Sequence, residues 1–102
     1  MNEEQLSALF EAEMKSIFER ERELGLCSTR FIEGIREYGG LAYARRLLKK
    51  AESELPRNTF GYLRRQGRLD LSMEYYVVQE RFRPLFTQDE VSIAQYRLKH
   101  GD

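Results

Sequence analysis

The residues with most chemistry to offer in this chain are cationic. Arg45, Arg46, Lys49 and Lys50 lie close together, Arg64, Arg65 and Arg68 follow, and Tyr43 and Tyr62 are interleaved with them. Guanidinium and ammonium groups neutralise phosphates, and exposed tyrosines stack on bases, so the set has the composition of a nucleic-acid surface. The two helices expected on either side of Gly39-Gly40 also suit a helix-turn-helix whose second helix is basic. Against this, the second helix lacks the asparagine, glutamine and serine that accompany arginine in reading base edges. A run of this kind more often forms a solvated face that complements acidic residues in the same molecule or in a partner.

The remaining reactive residue types do not assemble into a catalytic set. Asp70 and Glu74 stand four apart, the spacing of a carboxylate pair on one helix face. Without a histidine or a third acid they make a poor metal site, and capping of a helix by Asp70, with Arg68 pairing to Asp70 or Glu74, is the simpler role. Cys27 would act as a nucleophile only beside a base, and the one histidine, His100, is two residues from the end. A small, buried, apolar role suits Cys27 better. Glu11, Glu13 and Glu19 belong to a solvated helix face. The stretch GYLRRQGR lacks the lysine-serine or lysine-threonine ending of a phosphate loop. The expectation is a chain with no catalytic centre, no metal and no cofactor.

Composition narrows the class further. The 102 residues suffice for one helical domain, spanning 1–102, whose core needs neither disulfides nor metal. Formal net charge is zero, which argues against a strongly acidic nucleic-acid mimic and against a histone-like binder, and leaves self-association open. A single cysteine forbids an intramolecular disulfide and fits a reducing compartment. The acidic start MNEEQ is not that of a signal peptide, and no apolar run reaches the length of a membrane span. A cytoplasmic protein is expected. The charge is segregated: Met1 to Gly25 holds seven acids and three bases, and Tyr43 to Arg68 holds eight bases and two acids.

Helical elements must position these groups. Asn2 with Gln5 three residues on resembles a capping box, and Leu6, Leu9, Phe10, Met14, Ile17 and Phe18 form one apolar stripe, so a first helix is predicted from about Glu3 to Leu24, stopped at Gly25. A second runs from a Ser28 or Thr29 cap to Tyr38, burying Phe31, Ile32, Ile35 and Tyr38. A third runs from Leu41 to about Glu52, with a loop through Pro56. A short fourth helix runs from an Asn58 or Thr59 cap to Gln66, closed by Gly67. A fifth begins near Asp70 or Ser72 and ends before Pro84, its seam formed by Leu71, Tyr75, Val78 and Phe82. The strongest local code is Thr87-Gln88-Asp89-Glu90, a capping box with Phe86 and Val91 at the spacing of a hydrophobic staple. It starts a sixth helix at Gln88 that runs to Lys99, burying Val91, Ala94, Tyr96 or Gln95, and Leu98, with Gly101 as terminator.

The strings EYGGLAYARRLL, FGYLRRQGRLDLSMEYYVV and LFTQDEVSIAQYRLKHG occur in that order. The order resembles an uncharacterised family of short helical bacterial and phage proteins or modules. Their pattern is a double glycine, a helix rich in small residues, a GF-like turn, a GRLDLT-E segment, then LFT-E-A-RL and a final glycine. The resemblance covers roughly Phe10 to Gly101; here the turn reads Phe60-Gly61, and Ser72 stands where threonine is usual. It implies a mostly helical fold and a setting among bacterial or mobile-element genes, and it carries no reaction and no catalytic residue.

The expectation is therefore an all-α bundle of five or six short helices that acts as a non-enzymatic interaction or regulatory protein. Its partner would be an acidic protein surface or a second copy, with no membrane involved. Nucleic acid bound on the same face is the alternative. The surface expected to carry the contact is Tyr43, Arg45, Arg46, Lys49, Lys50, Tyr62, Arg64, Arg65 and Arg68.

Overall fold

In the computed structural model of the chain the described residues are 1–26, 28–50 and 57–100, with 57–59 described by backbone alone. Among them are α1 (Glu3–Glu23), α2 (Thr29–Tyr38), α3 (Gly40–Lys49), α4 (Arg57–Arg65), α5 (Met73–Val77) and α6 (Gln88–His100). Two 3₁₀ segments, Leu69–Leu71 and Glu80–Leu85, flank α5. The fold is all-α, and no strand occurs among the described residues.

The long first helix is the spine. The Asn2 carboxamide accepts from the Gln5 amide at 2.7 Å, and the Gln5 side chain accepts from the Asn2 amide at 3.1 Å, closing the expected capping box. Leu6, Phe10, Met14 and Ile17 recur on one face and are buried. The ring of Phe10 meets Phe82 and Phe86 edge-on, each at 5.2 Å between centroids, a geometry aromatic rings favour over face-to-face stacking. Helices α2, α3 and α5 and the second 3₁₀ segment pack around this face. They supply Ile35, Leu48, Val77 and Leu85 to a single core.

The double glycine between α2 and α3 acts through both of its residues. Gly39 takes φ +86°, a left-handed conformation that turns the chain back. Gly40 lies so close to α1 that a Cβ there would sit 2.7 Å from the Cα of Glu11. The approach lets the Glu11 carboxylate accept from the Gly40 amide at 2.7 Å. The N-terminus of α3 is thereby capped by a side chain of another helix, with negative charge at its positive pole.

The sixth helix starts as its local code requires. The Thr87 amide donates to Glu90 Oε1 at 2.8 Å, and the Glu90 amide donates to Thr87 Oγ1 at 3.1 Å. Phe86 and Val91 of the expected staple are both buried.

The expected fifth helix is corrected. It breaks into a 3₁₀ turn, a five-residue α-helix and a longer 3₁₀ segment containing Pro84. Ser72 causes the first interruption: its backbone is extended, its hydroxyl donates to the Leu69 carbonyl at 2.6 Å, and it accepts from the Tyr75 amide at 3.2 Å. Restarting at Met73 changes the phase of the helix. Met73, Tyr76 and Val77 go into the core, and Tyr75, expected in the seam, is exposed.

Smaller corrections have related causes. Tyr38 is exposed, although its ring stacks on that of Tyr43. Tyr96 and Gln95 are exposed and Leu98 only half-buried; the inward face of α6 is Glu90, Val91, Ala94 and Arg97. Helix α3 stops at Lys49 rather than near Glu52, with Lys50 extended. Ser28 precedes α2 without capping it, and its hydroxyl is turned to Glu21 instead. The expected role of Cys27, the loop through Pro56 and the terminator Gly101 lie outside the described residues, and α4 begins at Arg57, ahead of the caps expected at Asn58 or Thr59.

Candidate interaction surface

The cationic residues predicted to form one surface meet different fates in the fold. Arg45 is spent on the junction that precedes α6. Its Nη2 donates to the Leu85 carbonyl at 2.8 Å, and its Nε lies 3.4 Å from Glu90 Oε2. Arg64 reaches the far end of α6, donating to the carbonyls of Arg97 and Leu98 at 3.1 and 2.8 Å. A cation there meets the negative pole of the helix and its unpaired carbonyls. Arg68 forms a two-pronged pair with Asp70, at 3.1 and 3.3 Å. The hydrogen bonds from Arg68 hold the Asp70 carboxyl below its usual range.

The other predicted residues face outward or lie at a rim. Arg46 is exposed and lies over the Tyr38 ring, 3.9 Å from its centroid, a cation–π contact. Tyr38 in turn stacks nearly parallel on Tyr43 at 6.3 Å. Tyr43 is half-buried with its edge toward Phe31, and its hydroxyl donates to the Arg30 carbonyl at 3.4 Å. Burial raises the Tyr43 phenol above its ordinary value, with Arg30 opposing the shift and Tyr38 adding to it. Lys49, Lys50 and Arg65 are exposed and unpaired among the described residues, and Tyr62 is half-buried. Helix α3 thus ends with exposed Arg46 and Lys49 one turn apart, and Lys50 follows as its extended C-cap. Arg64, Arg65 and Tyr62 belong to α4, which packs on the first 3₁₀ segment.

Sequence reasoning missed the group around which these helices close. Arg97 is 4% exposed and Glu74 is 6% exposed, and they pair at 3.2 Å in the interior. The other terminal nitrogen of Arg97 donates to the carbonyls of Leu47, Leu48 and Lys50 at 3.1, 3.4 and 3.0 Å. They lie at the C-terminal end of α3, where helical carbonyls run short of donors, and the Leu47 carbonyl also accepts from the Lys50 amide at 3.3 Å. One guanidinium therefore closes α3, neutralises a buried carboxylate and joins α6 to both. Burial pushes the Glu74 carboxyl above its usual range, with Arg97 opposing the shift. A trace of this was present in the sequence: Arg97 continues the Val91, Ala94 spacing, and Glu74 stands between Leu71 and Val77 at helical intervals. A charge on an apolar face calls for a partner there.

A second buried carboxylate, Glu21, is held up by desolvation and accepts from the Ser28 hydroxyl, which opposes the shift. No group of three or more His, Cys, Asp or Glu side chains arranged for a metal ion occurs among the described residues. No described helix is long and apolar enough to cross a membrane.

Beside the Arg97 junction the surface opens into a depression of about 510 Å³ between the end of α3 and the outer face of α6. Leu48, Lys49 and Lys50 line one side, and Ser92, Ile93, Tyr96 and Arg97 line the other. Ile93 is 37% exposed and Tyr96 is 59% exposed, and the Tyr96 ring lies 4.9 Å from that of His100. The depression joins apolar surface to two lysines that have no counter-charge among the described residues. Lys49 and Lys50 belong to the predicted surface; Ile93 and Tyr96 do not.

Comparison with protein-family models, with curated proteins and with solved structures returns no match to this chain.

Proposed function

We propose that this chain is a small, non-enzymatic interaction protein that docks onto a partner protein in the manner of a regulator, inhibitor or accessory subunit. A bacterial or phage origin goes with the family resemblance, and a cytoplasmic setting with the single cysteine, which fits a reducing compartment. One observation carries the reading: exposed Ile93 and Tyr96 lie along one open depression beside Lys49 and Lys50, which are unpaired among the described residues. Single exposed apolar residues are ordinary on a protein surface. An apolar strip flanked by charge of one sign has the composition of a contact patch, with a tyrosine as its largest anchor. The cations that fold-building consumes, Arg45, Arg64 and Arg68, stand outside this patch and act as struts.

The test is affinity capture from a bacterial host, with the intact chain as bait and a Lys49→Glu/Lys50→Glu/Tyr96→Ala variant as control. The reading expects the variant to lose a defined partner while unfolding at the wild-type temperature. Retention of every partner by the folded variant would overturn it.

Nucleic acid is a second reading, favoured by the exposed Arg46–Tyr38 stack beside Lys49 and Lys50. A salt titration with generic DNA and RNA discriminates. Phosphate contacts give binding that falls steeply and log-linearly with salt. Absence of binding at low salt removes this reading.

A further inference from the structure

We propose that the depression between α3 and α6 receives an acidic amphipathic helix of the partner, with apolar side chains over Leu48, Ile93 and Tyr96 and carboxylates against Lys49 and Lys50. This rests on the protein-docking reading above and gives the partner its chemistry.

Three observations narrow the occupant. The first is charge. Among the seven described residues that line it there are three cations and no carboxylate. Arg97 is already engaged by Glu74 and three carbonyls, so the charge left to offer is that of Lys49 and Lys50. Both stand at the α3 side. On the α6 side, Asp89 precedes Ile93 by one helical turn and is exposed. It would repel acids there, so the bound segment should carry its carboxylates on one edge and apolar or uncharged residues on the other. That arrangement describes an amphipathic segment rather than a uniformly acidic one.

The second is shape. A volume of about 510 Å³ falls in the range of ligand sites, roughly 300–1,000 Å³. This depression is open, however, and would leave most of a small molecule in water. It suits a row of side chains offered by a larger body. The third is the nature of the walls. Both are helices, so they offer no strand edge to extend. A helix laid in a groove, reading anchors at i, i+3, i+4 and i+7, is the recognition mode that needs only side-chain contacts.

The experiment is selection of a displayed library of random helix-forming peptides on the full-length chain. Binding of the selected synthetic peptides to wild type and variants is then measured by fluorescence anisotropy over a range of salt. Enrichment of glutamate or aspartate on one edge and leucine, isoleucine or phenylalanine at helical spacing is expected. Tyr96→Ala should weaken such peptides at least tenfold. Lys49→Glu/Lys50→Glu should weaken them at least tenfold and flatten their salt dependence, since rim charges act mainly through long-range attraction. Ser92→Glu, which places a carboxylate in the depression, gives a second route to the same loss. All these side chains are exposed, and wild-type unfolding temperatures verify that the variants fold.

Selection of basic peptides, of peptides without carboxylates, or of none would overturn the proposal. So would selected peptides that bind the triple variant as well as wild type. Displacement of the peptides by an oligonucleotide at lower concentration than by free peptide would assign the depression to nucleic acid. A dimer dispersed by Tyr96→Ala would assign it to a second copy. Loss of native partners by the triple variant, combined with failure of peptide selection, would refute the acidic helix and leave partner docking standing.

Discussion

Replacing Arg97 by methionine tests the claim that one guanidinium joins three helices. Methionine keeps much of the apolar stem and deletes the charged fork. Glu74 loses its counter-charge, and the carbonyls of Leu47, Leu48 and Lys50 lose their donor. Removing one member of a buried pair costs about 3–5 kcal/mol. Adding roughly 1.5–3 kcal/mol for each charge-assisted bond would exceed that range. The bonds share one group, though, and the end of α3 can fray to let its carbonyls find water, so about 3–5 kcal/mol is the total expected. It is a large part of the roughly 5–15 kcal/mol typical of a domain. At about 4–8 °C per kcal/mol the melting temperature should fall steeply.

The decisive feature is a change of sign. Glu74→Gln alone removes a charged acceptor from Arg97 and should cost about 1–2 kcal/mol. In the Arg97→Met background the same substitution removes an unpaired buried charge and should restore stability. The pH dependence follows the same logic. Burial raises the folded-state pKa of Glu74, so the folded chain holds this proton more tightly than the unfolded chain does. The stability from that proton is complete below the unfolded value and is lost as pH rises through the folded value. Mild acid should therefore improve wild type relative to Glu74→Gln, and improve Arg97→Met by more. Urea unfolding followed by circular dichroism, at neutral and mildly acidic pH, measures all four proteins. A cost below about 1 kcal/mol for Arg97→Met, or a Glu74→Gln that still destabilises the double variant, would refute the account.

Four further outcomes are expected. Gly40→Ala should cost about 1–3 kcal/mol by chemical denaturation, because its Cβ meets the backbone of Glu11 rather than a movable side-chain tip. Thr87→Ala should cost about 1 kcal/mol and speed amide exchange in the first turn of α6. Arg64→Met should loosen the last turn of α6, read by faster amide exchange there and a loss of roughly 1–2 kcal/mol. The neighbouring Arg65→Ala should stay within about 0.5 kcal/mol of wild type, since that side chain is exposed and unpaired among the described residues.

The contrast between Arg64 and Arg65 shows how far residue type alone reaches. Features encoded within one helical turn were legible. The Asn2–Gln5 and Thr87–Glu90 boxes close as their spacing requires, and Gly25, Gly39 and Gly67 take the positive φ that ends a helix. The all-α class followed from the apolar periodicity, and the Phe10 and Met14 face was readable from it. The phase of α5 was not, because Ser72 can continue a helix or cap one, and its bonds to Leu69 and Tyr75 decide which. The composition of the candidate surface was legible only in part. Lys49 and Lys50 stand where the charge run placed them; Tyr96 was expected as an interior position, and Ile93 was given no role.

By itself the sequence determined the all-α class, the first and sixth helices with the local caps that start them, and that positive charge gathers in the middle of the chain. Tertiary structure alone decided which of those charges remain free. Arg45, Arg64 and Arg97 became struts because folding brought the carbonyls of Leu85, Leu98 and Leu47 within reach. A guanidinium binds whatever unpaired oxygen lies within about 3 Å, and residues dozens of positions apart meet only once the core has closed.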